Sequence, residues 1–232
     1  MAIAQKTGAI EIASISTADK PIDNLLGKQW LLTNNRGGYS SSTIIGCNTS
    51  KYHGLLIGSL NPPVNRIMAL ANCLETITVN GRTSSLSTFE FSNRFAPDGF
   101  QQIKRFRRDI GAHFDYQAKD FELTKSVYLS RDTDTVAVVY DFTSVSGAAE
   151  LILRPFVALR DFHSLQKSGA SLSSVELAKG LLISHNAHSG CELFLACPSM
   201  NFEKDPQWWF NFVYRDDKQR GQEFTEDLWT PG

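Results

Sequence analysis

Between Phe121 and Phe142 the chain alternates. Phe121, Leu123, Val127 and Leu129 interleave with Glu122, Thr124, Ser126 and Tyr128, and Val136, Val138, Tyr140 and Phe142 repeat the pattern. A period of two over eight or more residues places successive side chains on opposite faces of a strand, one face on a core. No helix carries that pattern. The Asp132-Thr133-Asp134 segment between the two runs reads as a turn.

The same texture extends along the chain. Gln29 to Leu32, Ser41 to Cys47 and Tyr52 to Leu60 are β-branched and apolar, and Asn61-Pro62-Pro63 stops the third run, since neither a helix nor a central strand tolerates it. Leu74 to Val79, Asn80-Gly81 and Arg82 to Thr88 form a hairpin signature, because Asn-Gly supplies the two positive-φ positions of a type I′ turn. Leu151 to Val157, Ser173 to Ala178, Leu181 to Ser184 and Glu192 to Ala196 are further strands. About ten to fourteen strands with turns every 8–12 residues predict a sandwich or a barrel.

The ends read differently. Residues 1–20 show no sustained period and are expected to be a loosely ordered lead-in to a β domain over 21–204. Asp205-Pro206 predicts a helix start, with Trp208, Trp209, Phe212 and Tyr214 near helical spacing and Gly221 as the stop. Residues 205–232 are therefore expected to be a helix and linker, with Trp208-Trp209-Phe210 read either as a platform for stacking sugar rings or, in preference, as core anchors for that helix. A chain ending on Trp229-Thr230-Pro231-Gly232 reads as one cut at a domain boundary.

Composition narrows the class. The 232 residues carry 23 Lys+Arg against 24 Asp+Glu, with 42% hydrophobic residues. That chain has the means to fold, and it lacks the basic excess that counterion release from nucleic acid requires. The four cysteines form no C-x-x-C pair and are too sparse for a disulfide framework. No signal peptide and no apolar run of about 18 residues is present, so a soluble cytoplasmic protein with free thiols and no membrane partner is expected.

Candidate chemistry is thin. Asn35-Arg36-Gly37-Gly38 matches no phosphate loop; it reads either as a tight turn or as backbone open to a ligand, with Asn34, Arg36 and Tyr39 reaching outward. Tyr52-His53-Gly54 places a His at a strand start, more often a hydrogen-bonded structural residue than a catalyst. His185 and His188, followed by Cys191, space superficially like metal ligands but lack a second ligand pair; no metal and no cofactor is expected. Arg160-Asp161-Phe162-His163 ends an apolar strand and reads equally as a surface ion pair or as groups offered to a sugar or a neighbouring domain. Arg105-Phe106-Arg107-Arg108 reads as a solvated strand edge. No pair of Asp/Glu stands out as the two carboxylates of a glycosidase.

These residues carry a resemblance. Trp30 through Thr43 and Gly46 through Leu56, then Pro62-Pro63, Glu75-Thr76, Arg154-Pro155, Arg160 to His163, Arg220-Gly221 and Glu226 to Gly232 are similar to the bacterial and archaeal type of glycogen debranching enzyme. The likeness covers about residues 25–232. It departs at Asn35 and Ser42, where that family has Gly, and at Ser50-Lys51, where it has Arg-Arg. The lost glycines imply a turn less tolerant of positive φ, and the lost Arg weakens bidentate contact there.

The resemblance implies an N-terminal antiparallel β-supersandwich, like that of galactose mutarotase, followed by an (α/α)6 barrel with the amylo-α-1,6-glucosidase site. The catalytic carboxylates would then lie beyond Gly232. Residues Asn34, Arg36, Gly37, Gly38, Tyr39, Lys51, Tyr52, His53, Arg160, Asp161, His163, Glu226 and Asp227 are expected at a glucan-binding or domain-interface surface. The expected partners are the enzyme's own barrel and α-glucan. Two other readings compete: an independent α-glucan-binding module, and a sugar epimerase, for which no converging His and Glu is identifiable.

Overall fold

The computed structural model describes residues 13–18, 20–92, 94–187, 190–199 and 201–232. In chain order the elements are β1 (Ala13–Ser16), α1 (Ile22–Leu26), β2 (Gln29–Thr33), β3 (Tyr39–Thr43), β4 (Gly54–Asn61), β5 (Val64–Val79) and β6 (Arg82–Ser85). Next come β7 (Thr88–Phe91), β8 (Arg94–Asp98), β9 (Ile103–Arg108), β10 (Ala112–Gln117), β11 (Phe121–Leu129) and β12 (Val136–Val145). The last are β13 (Ala149–Asp161), β14 (Leu172–Leu177), β15 (Gly180–His185), β16 (Glu192–Leu195), β17 (Gln207–Val213), α2 (Arg215–Gln219) and β18 (Thr225–Thr230).

Two sheets make a sandwich, not a closed barrel. The larger runs β17-β18-β13-β5-β4-β3-β2 with β6 beside β5, and the smaller runs β1-β9-β10-β11-β12. Alternation decides what each strand contributes: Phe114, Leu123 and Val127 of the smaller sheet meet Trp30, Leu32 and Ile77 of the larger in one core, where Trp30 and Phe114 stack edge-to-face at 6.2 Å. A third sheet, β14-β15-β16, adds Leu181, Ile183 and Leu193 to that core. Each such side chain stabilises the fold by roughly 1.5–3 kcal/mol. The Asn80-Gly81 turn joins β5 to β6 as expected, with φ of 49° and 76°.

One buried ion pair bridges the two sheets. Lys125 on β11 donates to Glu75 Oε1 on β5 at 2.6 Å, and Tyr140 on β12 donates to the same oxygen at 2.5 Å. A carboxylate buried without such partners would be strongly destabilising.

The opposite face of the larger sheet has its own core. Ile57, Met68, Phe156 and Ala158 point there, covered by Phe89 of the β7–β8 hairpin and by Phe212 of β17. The rings of Phe89, Phe156 and Phe212 lie 5.2–5.5 Å apart, edge to face.

Five expectations change. The short C-terminal helix is present as α2, but it begins at Arg215 and not at Asp205, because Gln207–Val213 form the strand β17, paired with β18. An extra residue at Asn211, φ 62°, bulges β17 between Trp209 and Phe212; Trp209 and Phe212 therefore face the same core three residues apart, which mimics helical spacing. Trp208-Trp209-Phe210 consequently anchors a strand, with Trp209 on Phe156 at 5.3 Å and Phe210 54% exposed. The expected linker at 223–232 holds β18, inside the larger sheet. Of the expected lead-in, residues 1–12 lie outside the described residues, while β1 pairs with β9. That pairing also makes Arg105–Arg108 an interior strand: Arg105 and Arg107 both bind the Asp115 carboxylate. Burial would raise Asp115, but these hydrogen bonds outweigh it and hold the carboxyl at about 2.

Candidate functional site

A bulge in β13 aims the first of the candidate residues. Leu159 adopts φ 51°, and the register against β5 slips by one residue between Val157 and Arg160. The Arg160 guanidinium then forks onto Glu226 of β18: Nε donates to Oε1, and Nη2 to Oε2 at 3.0 Å. Tyr214 Oη donates to Oε2 at 2.5 Å and the Gln166 N–H to Oε1 at 2.9 Å. The remaining Arg160 donors take the carbonyls of Lys51, Asp161 and Phe162 at 3.0–3.3 Å. Both side chains are buried. The fork that the sequence offers to a sugar or a neighbour is thus spent inside the domain, and Arg160 and Glu226 act as a clamp between two loops.

One of those loops is the signature segment 46–54. Asn48 is buried, receives the Ser42 hydroxyl and donates to the carbonyls of His53 and Ala71. His53 Nδ1 accepts the Thr49 N–H at 3.1 Å, so its proton resides on Nε2. Burial lowers His53 to about 4, against the pull of Asp216. Helix α2 closes over the loop: Asp216 Oδ2 accepts the Thr49 hydroxyl at 2.8 Å, and Asp217 Oδ2 accepts the Lys51 N–H at 2.6 Å.

The Asn34–Tyr39 turn is equally committed. Asn34 Oδ1 accepts the N–H groups of Arg36 and Gly38, while its amide donates to Asp134 Oδ1 at 3.0 Å. Arg36 pairs with Asp134 Oδ2 at 3.1 Å. Burial works to raise the Asp134 carboxyl, yet the hydrogen bonds from Asn34, the Ser59 N–H and Arg36 hold it below the usual range. Gly37, not Asn35, takes the positive φ, at 85°. Both glycines are needed for close packing, because a Cβ on Gly37 would lie 2.7 Å from the Pro63 carbonyl oxygen and one on Gly38 2.6 Å from Asp134 Oδ1.

What remains at the surface is an aromatic edge. Tyr52 and Phe162 stack edge-to-face at 5.5 Å, His163 lies 4.0 Å from the Phe162 ring, and Tyr52 Oη meets His163 Nδ1 at 3.2 Å. Lys51 sits over the Tyr52 ring and Arg66 over Phe162, each at 5.5 Å. Tyr39 supports the group from below by donating to the Tyr52 carbonyl at 2.9 Å; burial pushes its phenol up to about 12. Asp161 accepts the His163 N–H at 2.8 Å. Asp227 stands apart from this edge, with one oxygen on the Asn211 N–H and the other on the Ser168 N–H.

The predicted residues thus fall into three groups, with Asp227 apart from all of them. Lys51, Tyr52, Asp161 and His163 converge at the edge; Tyr39, His53, Arg160 and Glu226 build the support behind it; Asn34, Arg36, Gly37 and Gly38 form a separate docked turn. Phe162, Arg66, Tyr214 and Gln166 complete the arrangement without being singled out by the sequence. Phe162 lies inside a quoted motif, whereas Arg66 carries no local signal.

Two other constellations lie elsewhere. Ser126, His113 and Asp109 form a hydrogen-bonded line on the smaller sheet, with His113 Nδ1 2.9 Å from Ser126 Oγ and Nε2 2.7 Å from Asp109 Oδ1. Ser126 is buried in mid-strand between β10 and β12, so the backbone around it belongs to the ladders and supplies no oxyanion site. His185 is buried at the end of β15, and His188 lies outside the described residues. No helix among the described residues is long and apolar enough to cross a membrane.

The comparison with protein families decides the affiliation. The model described as "Glycogen debranching enzyme N terminal" matches residues 28–232. The chain belongs to that family. No curated protein and no solved structure matches it. In the glycogen debranching enzyme N-terminal domain described here, the matched span begins at β2 and takes in the docked turn, the clamp and the aromatic edge.

Proposed function

We propose that this domain is a non-catalytic part of a cytoplasmic debranching glycoside hydrolase that cleaves α-1,6-glucosidic branch points of glycogen. In this reading it braces the enzyme's own (α/α)6 catalytic barrel, and the Tyr52–Phe162–His163 edge lines one wall of the glycan cleft. The observation that carries the reading is the division of labour between half-buried rings at the surface and fully buried polar groups. Arg160, Glu226 and His53 are all buried and hydrogen-bonded, which leaves Tyr52, Phe162 and His163 as the groups available to a ligand or neighbour.

The carboxylates support the same division. A glycosidase needs two of them about 5–9.5 Å apart across a cleft. At the edge stands Asp161, one of whose oxygens holds the His163 N–H, and Glu226 is buried under Arg160. Hydrolysis is therefore assigned to another part of the enzyme. The free thiols of Cys47, Cys73, Cys191 and Cys197 suit a reducing compartment.

The test is kinetic. In a debranching enzyme carrying this domain, Tyr52→Ala and Phe162→Ala should raise KM for branched glucan about tenfold, or ~1.4 kcal/mol of binding. Activity on a small chromogenic α-glucoside should stay unchanged, and the Tm should fall only modestly, more for Phe162, which packs half-buried against the second core. An unaltered KM for branched glucan overturns the assignment of this edge.

A further inference from the structure

A cleft of about 340 Å³ opens between the β7–β8 hairpin and the β17–α2–β18 segment. Its size lies at the lower end of the range for small-molecule sites, roughly 300–1,000 Å³. Phe91, Phe224 and Val213 give it apolar walls, and Ser92, Asn211, Thr225 and Lys218 give it polar ones. Glu90 and Arg215 complete the lining.

Glu90 and Arg215 at this cleft are already paired with each other. Arg215 Nε and Nη2 bind both oxygens of Glu90 at 2.7 and 3.0 Å, and Nη1 binds Asp23 at 2.7 Å. Arg215 therefore has no fork left for a phosphate or carboxylate. Lys218 stands over the Phe224 ring at 5.2 Å. Among the described residues, the Asn211 amide and the Ser92 hydroxyl make no hydrogen bond, and the Lys218 ammonium has only its contact with the Phe224 ring. The left-handed bulge residue Asn211 has its N–H fixed by Asp227, so the backbone that presents its amide is pinned.

Phenyl walls with an amide, hydroxyls and one ammonium between them match a ligand with apolar faces and a hydroxyl-rich rim. We propose that this cleft binds one or two units of a neutral linear α-glucan. The choice of glucan over other neutral polyols rests on the debranching reading above; the cleft itself does not. The site shares strand β18 with the clamp: Thr225 lines the cleft, Glu226 holds Arg160, and Lys167 beside the clamp loop donates to Thr225 Oγ1 at 3.0 Å. Glucan seated here would hold a branched substrate against the same domain that carries the aromatic edge.

The test is titration calorimetry of the 232-residue chain with maltotriose, and with inorganic phosphate in parallel. Asn211→Gly keeps the positive φ while removing the amide, and Lys218→Ala changes an exposed side chain, so both should fold with unchanged circular dichroism. Maltotriose should bind at millimolar or tighter Kd, and each variant should weaken it at least fivefold, while Tyr52→Ala should not. Three results overturn the proposal: no binding of maltotriose, binding unaffected by either cleft variant, or phosphate binding that depends on Lys218 in place of maltotriose binding. None of these touches the kinetic test of the aromatic edge, so the two readings fail separately.

Discussion

Arg160 Nη2 lies 3.0 Å from Glu226 Oε2, with both side chains withdrawn from solvent. The pair joins β13 to β18 and, through the carbonyls of Lys51 and Phe162, fixes the backbone on both sides of the aromatic edge. Its role is positional, and its energetics follow from its burial. Taking the charges out of water costs several kcal/mol per ion, and the pair survives because every oxygen and nitrogen of it is hydrogen-bonded.

Removing one partner should therefore be severe. Arg160→Ala leaves the Glu226 carboxylate buried without its cation and should cost about 3–5 kcal/mol in urea unfolding. Arg36→Ala removes a pair whose arginine is 39% exposed and should cost only about 0–1 kcal/mol. Equal losses from the two changes would contradict the clamp.

Acid should loosen the signature loop before it protonates the carboxylates. His53 has its pKa lowered by burial from 6.5 to about 4, so between those values the unfolded chain binds a proton that the folded chain refuses. Stability is fully present above pH 6.5 and is lost as pH falls towards 4, by about 3 kcal/mol across the window. His53→Asn keeps an acceptor for the Thr49 N–H and should flatten that slope. Urea unfolding at pH 7.5, 6, 5 and 4.5 would measure it; parallel slopes in both proteins would exclude His53 as the source.

The docked turn gives a steric prediction. Gly37→Ala forces a Cβ into the left-handed region, at roughly 1–2 kcal/mol, and also against the Pro63 backbone. Its Tm should fall clearly, whereas Gly81→Ala, where no atom lies within 4 Å of the new Cβ, should incur the conformational cost alone. Matching Tm losses would mean that the turn does not dock against Pro63.

The strands legible in the sequence are those whose alternation runs unbroken, such as β11 and β12, or whose turn chemistry is explicit, such as Asn80-Gly81. The first half of β5 was not legible, because Met68-Ala69-Leu70-Ala71 carries the composition of a helix and becomes strand only through pairing with β4 and β13. At β17 a single bulge residue, Asn211, broke the period and left a helical spacing behind it. The site divides in the same way. The motif residues were visible one by one, but which of them face outward depends on cross-chain partners such as Glu226 and Asp217, and no local pattern encodes those pairings.

The most direct measurement is glucose release from a glycogen limit dextrin by the purified 232-residue chain alone. A wall beside another domain's catalytic carboxylates yields no glucose above the no-protein control, at any pH at which the chain is folded. Sustained release would place a working carboxylate pair within these strands and contradict the account.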